Sequence, residues 1–206
     1  MYIPDPNRVD DPAKVRAFIH AHGFATLVTQ KDGIPCASHL PVLLDEGEGS
    51  HGSLRGHMAQ ANEQWRQFRP NQEVLCIFHG PHSYISPSWY ESKVAVPTWN
   101  YATVHVYGFP QTIEDPTVLR KIVVETTAVY ESKMTSGGGL ELQEDLVAAL
   151  LKTIVGFSIR ITRNEAKFKF GQNRTREDQE AMLSVLASAK DPDSRALAEF
   201  IRNQKA

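Results

Sequence analysis

Four segments of this chain set His, Asn, Lys or Arg beside aromatic rings at the edges of apolar runs. They are Gly56-His57-Met58-Ala59-Gln60-Ala61-Asn62-Glu63-Gln64-Trp65, Gly80-Pro81-His82-Ser83-Tyr84 continuing to Trp89-Tyr90, Val96-Pro97-Thr98-Trp99-Asn100-Tyr101, and Lys167-Phe168-Lys169-Phe170-Gly171-Gln172-Asn173-Arg174. A flat, phosphorylated ligand needs both kinds of group. Rings and backbone meet its plane, while basic and amide groups meet its phosphate.

Arg55, His57, Lys167, Lys169 and Arg174 stand at predicted strand ends and are the phosphate candidates. No Walker loop and no strand, Gly-x-Gly-x-x-Gly, helix unit is present, so side chains and strand-end amides must hold any phosphate. Taken singly, each of these basic residues reads better as a solvated surface charge. Trp65, Trp89, Trp99 and Tyr101 are the ring-stacking candidates, and each alone reads as core. Asn100 is harder to place in a core, because Asn is depleted in strands and a buried amide must find partners. A ligand edge would supply them, and so would neighbouring backbone.

Other chemistries find less support. Ser38, Ser86 and Ser88 sit in no Gly-x-Ser-x-Gly elbow. Cys36 and His39 are three apart on a predicted strand, which points them to opposite faces. Six of the eight histidines fall between residues 39 and 105, yet no Cys-x-x-Cys or His-Glu-x-x-His occurs, and His79 and His82 flank a Gly-Pro turn. The reading is that no metal is bound.

The elements that must position these residues are mostly strands. Asp10-Asp11-Pro12 starts a helix that Gly23 stops. Phe24–Gln30 and Ile34–Leu44 form a hairpin about Lys31-Asp32-Gly33, with Pro35 and Pro41 placing the second strand at an edge or a bulge. Asp45 to Ser50 is a polar hairpin tip, and His51–His57 returns from it. A short helix is expected over Ala59–Phe68. Strands follow over Glu73–His79 and, after Gly80-Pro81, from His82 to Ser86. Pro87 to Thr98 is a long loop of the kind that carries function. Asn100–Ile113 is the longest strand. Asp115-Pro116 starts a helix, Ser136-Gly137-Gly138-Gly139 is a linker, and a helix covers Gln143–Lys152. Strands Ile154–Thr162 and Ala166–Phe170 flank a turn at Asn164. Thr175-Arg176-Glu177-Asp178 resembles a capping box, and Asp191-Pro192 opens a last amphipathic helix. Strands first, with helices inserted at three places, predict an antiparallel β-barrel with peripheral helices, an α+β fold.

The 206 residues suit one domain with a helical appendage, divided as 1–172 and 173–206. No apolar run approaches a membrane span, and the N-terminus lacks the basic and apolar regions of a signal peptide. Two cysteines in apolar runs read as free thiols in a reducing compartment, so a cytoplasmic location is expected. A formal net charge of −2 is no nucleic-acid footprint.

The combined motifs resemble those of the PaiB family, described as FMN-binding negative transcriptional regulators. The matching segments run from Tyr2-Ile3-Pro4 to about Leu186. They include Phe24-Ala25-Thr26-Leu27-Val28-Thr29, Ser38-His39-Leu40-Pro41, the four segments above, Val104-His105-Val106-Tyr107-Gly108 and Ile154-Val155-Gly156-Phe157. The resemblance implies an FMN-binding split barrel of the pyridoxamine phosphate oxidase type and a homodimer with FMN in its interface cleft. It implies cofactor contacts among His39, Arg55, His57, Asn62, Trp65, Thr98, Trp99, Asn100, Tyr101, Lys167, Gln172, Asn173 and Arg174. Arg55, His57, Asn62, Lys167 and Arg174 would serve the phosphate. Thr98 to Tyr101 would line the isoalloxazine or the dimer seam. Gly171 departs from the family's usual Ser. DNA is a partner by resemblance alone, since no helix-turn-helix is evident. The alternatives are an FMN-dependent oxidoreductase, with the 87–98 loop as a lid, and a barrel that binds haem or nothing.

Overall fold

A computed structural model describes residues 1–47, 51–92, 95–134 and 143–205. The predicted linker Ser136–Gly139 lies outside them. Six strands, β1 (Phe24–Lys31), β2 (Ile34–Asp45), β3 (Ser53–Ala59), β4 (Val74–Ile85), β5 (Thr98–Ile113) and β6 (Ile154–Lys169), close in the order β1-β2-β3-β6-β5-β4. Among the described residues, five α-helices accompany them: α1 (Pro12–Ala21), α2 (Pro116–Glu131), α3 (Glu144–Leu151), α4 (Arg176–Ser188) and α5 (Pro192–Lys205). The chain divides into two compact units. One comprises residues 1–18, 79–104 and 165–206, and the other residues 19–78 and 105–164. Strands β4, β5 and β6 each contribute residues to both.

The larger unit begins with the β1–β2 hairpin. Asp32 (φ 53°) and Gly33 (φ 81°) form its two-residue loop, as the Lys31-Asp32-Gly33 signal requires. Positive φ at both central residues matches the twist of the flanking strands. Pro35 and Pro41 lie in a barrel strand, and hydrogen-bond parity explains why. Val42 N donates to Gly23 O at 2.8 Å. In the β1–β2 register, Gln30 faces Pro35 and Phe24 faces Pro41. Both prolines therefore occupy non-hydrogen-bonded positions toward β1. The β3 pairing starts only at Val42, so neither missing N–H removes a ladder bond.

Residues Gly47-Glu48-Gly49-Ser50-His51-Gly52 have Gly-x-Gly-x-x-Gly spacing, but they join two antiparallel strands and no helix follows. Leu27, Leu54, Cys76, Phe78, Phe157 and Ile159 are fully enclosed. Along β1 and β4 they alternate with more exposed residues, as a half-buried sheet demands. Burial pushes the Cys76 thiol up to about 12, which makes it inert. Helix α2 starts at an Asp115 cap that accepts from Thr117 N and Val118 N, and it packs against β3 and α3. A Cβ on Gly156 would meet Leu119 of α2 at 3.0 Å, so glycine lets the helix approach the sheet.

The smaller unit is held by phenylalanines. The Phe168 ring lies 5.2 Å from Phe18, 5.7 Å from Phe170 and 5.3 Å from Phe200, the last edge-on. Helices α4 and α5 pack together, burying Met182, Leu186, Leu197 and Ile201. Such aromatic pairs add about 0.5–1.5 kcal/mol each beyond their area.

Two predicted breaks and one predicted helix are absent. Gly80-Pro81 does not end a strand, because β4 runs through it. A Cβ at Gly80 would lie 2.7 Å from the Phe18 ring, so this glycine serves packing. Asn164 does not turn the chain, and β6 is continuous over 16 residues. Residues 59–68 yield only a 3-10 turn, Glu63–Gln67, capped by Asn62.

Gly108 is the tightest approach in the larger unit. A Cβ there would come 2.3 Å from the Arg160 carbonyl oxygen, a backbone atom that cannot swing away. Gly108→Ala should lower unfolding stability by roughly 1–3 kcal/mol, the usual cost of overpacking. Urea denaturation of the two proteins measures it.

Candidate functional site

The sequence candidates fall into two sets, one in each unit. In the larger unit, Asn62 bridges two elements. Its Oδ1 accepts from Gln64 N at 3.0 Å, and its Nδ2 donates to Ser38 Oγ of β2 at 2.9 Å. This bond brings the 60–65 motif to the Ser38-His39 motif. His39 is exposed on β2. Its Nδ1 is hydrogen-bonded to Thr26 Oγ1 at 3.0 Å and its ring stacks on Phe24. The Trp65 Nε1 donates to Gln60 O at 3.1 Å, and the Arg66 guanidinium covers its ring at 5.2 Å. Gln64, which the sequence reading passed over, pins this corner. It is buried, and its Nε2 donates to Leu27 O, Thr29 Oγ1 and Cys36 O.

Arg55 and His57 share one face of β3, two residues apart. The Arg55 guanidinium is held between two carboxylates, Asp45 at 3.2 Å and Glu125 of α2 at 3.1 Å. Its charge is therefore already balanced. The His57 Nδ1 is buried with no hydrogen-bond partner among the described residues. Burial lowers its pKa below the ordinary value of 6.5.

In the smaller unit the geometry is more concentrated. Lys167 and Lys169 alternate with Phe168 on β6, so both ammonium groups leave the face that the phenyl rings occupy. Lys167 is only 8% exposed. Its Nζ donates to Tyr2 O at 3.0 Å and lies 5.5 Å from the Tyr2 ring and 5.3 Å from the Tyr101 ring. No carboxylate is recorded beside it among the described residues. Lys169 Nζ donates to Thr98 Oγ1 and, at 2.8 Å, to Trp99 O, tying the candidate run of β5 to β6. Trp99 is 54% exposed, with the Tyr84 and His82 rings each 6.2 Å away.

Asn100 is 1% exposed. Its Nδ2 donates to the Met182 sulfur at 3.2 Å, and its Oδ1 has no partner among the described residues. Reversing the amide would leave the NH2 group unpaired instead, so one half of this side chain lacks a bond either way. Gln172 folds onto its own strand, accepting from Phe170 N at 2.8 Å and donating to Phe168 O. Asn173 is exposed. The Arg174 guanidinium lies 4.8 Å over the Tyr90 ring.

The functional loop carries a contact that sequence reading assigned elsewhere. Asp178, taken as the end of a capping box, does donate its backbone N–H to Thr175 Oγ1 at 3.2 Å. Its carboxylate instead accepts from Ser92 Oγ at 2.6 Å, Glu91 N at 2.9 Å and Ser92 N at 3.0 Å. The Ser92 hydroxyl and these amides hold its carboxyl below the usual range. No local signal announces a partner 86 residues away.

These observations fit a phosphorylated flavin. A lysine ammonium has three donors, and Lys167 uses one of them on a carbonyl. The remaining donors, without a neighbouring carboxylate, suit a phosphate. The tyrosine and tryptophan rings suit a planar heterocycle. Asn100 alternates with Trp99 and Tyr101 on β5 and turns the other way, to Met182. Lys167, Lys169, Thr98, Trp99 and Tyr101 are the residues that would hold it. The bound flavin supplies the redox chemistry, and the protein supplies binding and orientation.

A closed antiparallel barrel with flanking helices and such a cationic, aromatic strip defines a split-barrel flavin-binding protein. The family described as Putative FMN-binding domain matches residues 1–163, and the chain belongs to it. Protease synthase and sporulation protein PAI 2 of Bacillus subtilis is 33% identical over 204 residues, covering 99% of this chain and 98% of its own. An uncharacterized protein of Emericella nidulans is 30% identical over 204 residues, covering 82% and 81%. Among solved structures, the FAD and heme binding protein from Mycobacterium smegmatis superimposes with a TM-score of 0.59 at 12% identity, covering 85% of this chain and 79% of its own. The flavocytochrome Anf3 from Azotobacter vinelandii gives 0.56 at 15%, covering 84% and 73%. The family makes FMN the cofactor.

Two outcomes follow from this geometry. Gly171 has φ +79°, and a Cβ there would find space, its nearest neighbour being Arg174 Cγ at 3.6 Å. Gly171→Ser should therefore cost roughly 1–2 kcal/mol of backbone strain without a clash. Thermal unfolding without flavin reads this. His57 binds a proton less readily when folded than when unfolded. Its contribution is complete above pH 6.5 and is lost as pH falls through the lowered folded value. The unfolding midpoint should drop on acidification below pH 6.5, and His57→Gln should flatten part of that slope.

Proposed function

We propose that this protein is a cytoplasmic FMN-binding homodimer acting as a flavin-dependent sensor and negative transcriptional regulator of the PaiB type. The observation that carries the flavin site is Lys167, a buried ammonium near two tyrosine rings with no carboxylate beside it among the described residues. The regulatory role rests on the near full-length likeness to the Bacillus sporulation protein. In the smaller unit, exposed Trp99 and Tyr84 are apolar surface suited to a second copy, as are exposed Phe24 and Ile34 in the larger. DNA enters as a partner through the family alone. The α4 and α5 surfaces mix Arg176, Arg195 and Arg202 with Glu177, Glu180, Asp193 and Glu199, which makes no basic strip for a phosphate backbone.

Purified protein soaked in FMN and desalted should stay yellow. Lys167→Met should weaken FMN about 10- to 150-fold, the effect of losing roughly 1.5–3 kcal/mol from a charged hydrogen bond. Retention equal to the parent would remove Lys167 from the site. Trp99→Ala should shift sedimentation from dimer toward monomer. Salt-dependent binding of the protein's own promoter fragment, altered by flavin reduction, would support the sensor. Rapid NAD(P)H-dependent bleaching with turnover and no DNA shift would replace it with the oxidoreductase reading.

A further inference from the structure

The smaller unit contains a cavity of about 360 Å³ that the flavin reading does not use. Alternation along β6 separates the two. Lys167 and Lys169 leave one face of the strand, whereas Phe168, and Phe170 just past its end, turn to the other and line the cavity. Met182, Leu183 and Ile201 complete an apolar floor, contributed by α4 and α5. This volume lies in the range of small-molecule sites, which combine an apolar body with a few polar groups at one end.

The polar end is the segment leading into α1. Arg8, Asp10, Asp11 and Lys14 stand at the mouth, and their side chains are not equivalent. Asp11 caps the helix, accepting from Ala13 N at 2.9 Å. The carboxylate recorded near Arg8 is the fully exposed Asp5, at 3.7 Å, beyond hydrogen-bond distance. Lys14 has no ion pair recorded among the described residues. The two lining glutamines are already engaged: Gln172 bonds Phe170 N and Phe168 O, and Gln179 donates to Arg174 O at 3.0 Å. The mouth groups that make no hydrogen bond among the described residues are thus the guanidinium, the ammonium and the Asp10 carboxylate. Two cations against that one uncommitted carboxylate, above an apolar floor, favour an anionic head on an apolar tail.

We propose that this cavity binds a small amphipathic carboxylate, with its apolar part on Phe168, Phe170, Met182, Leu183 and Ile201 and its carboxylate between Arg8 and Lys14. Met182 belongs to both regions of the unit, since its sulfur also receives the Asn100 amide. A bound acid would touch the side chain that holds the Asn100 amide. The site gives a regulator a place for a metabolite signal distinct from its cofactor.

The test is calorimetric titration of the FMN-loaded full chain with octanoate, octylammonium and octan-1-ol. Octanoate should bind saturably at one site per chain, roughly tenfold or more tighter than either other probe, as one charged hydrogen bond allows. Arg8→Gln with Lys14→Gln, both surface changes, should weaken octanoate by a similar factor and leave octanol unaffected. Leu183→Trp, which fills the cavity, should abolish binding while FMN stays bound. Absence of saturable octanoate binding overturns the site. Equal affinity for octylammonium, or no effect of the double variant, overturns the carboxylate. Flavin retention is read in the same samples, so failure of the flavin assignment is seen separately.

Discussion

Side chains along an extended strand point alternately to opposite faces, and on β6 that constraint sorts the chemistry of the smaller unit. Phe168 joins Phe18, Phe170 and Phe200 in a ring cluster. The lysines on either side of it must then leave the cluster. Lys167 meets Tyr101 and Tyr2, and Lys169 meets the backbone of β5. A one-residue slip would put two ammonium groups among phenyl rings, where burying an unpaired charge costs far more than the rings contribute. Register here is fixed by the core, and the cationic face follows from it.

The two basic candidates buried on strands have opposite electrostatic histories. Arg55 sits between Asp45 and Glu125, so its interaction with α2 closes on itself. Removing a partner would leave a partly buried charge exposed to a low dielectric, and the triad's role is to join β3 to its helix. Lys167 has only a carbonyl and two ring faces. Cation–π contacts of about 0.5–2 kcal/mol soften its burial but do not neutralise its charge. An anionic group would. Asn100 adds an unpaired amide atom on the other face of β5, a defect worth roughly 1–3 kcal/mol that a water or a ligand can remove.

The loop after β4 is governed by a different bond set. Asp178 takes three hydrogen bonds from Glu91 and Ser92, which fastens this loop to α4 next to Tyr90 and Arg174. A short polar side chain on a helix thus places the residues that flank the candidate flavin face. Function and scaffold meet at this carboxylate, not at any catalytic group.

The sequence by itself determined what is local. The Lys31-Asp32-Gly33 turn follows from positive φ at two residues, the Asp115 and Thr175 caps from short oxygens reaching the first-turn amides, and the barrel class from strand order and alternation. The family motifs carried the cofactor, because several rare segments in one order are specific where each alone is not. Tertiary structure decided the rest. It made β4 and β6 continuous across Gly80 and Asn164, gave Arg55 to two carboxylates, and moved the Asp178 carboxylate from its own helix to Ser92. It also divided the thirteen cofactor candidates between two units. The physical reason is common to all of these. Each depends on which distant residues are brought within about 3 Å, and a hydrogen bond or ion pair at that range is set by strand register and helix packing, which no stretch of neighbouring residues encodes.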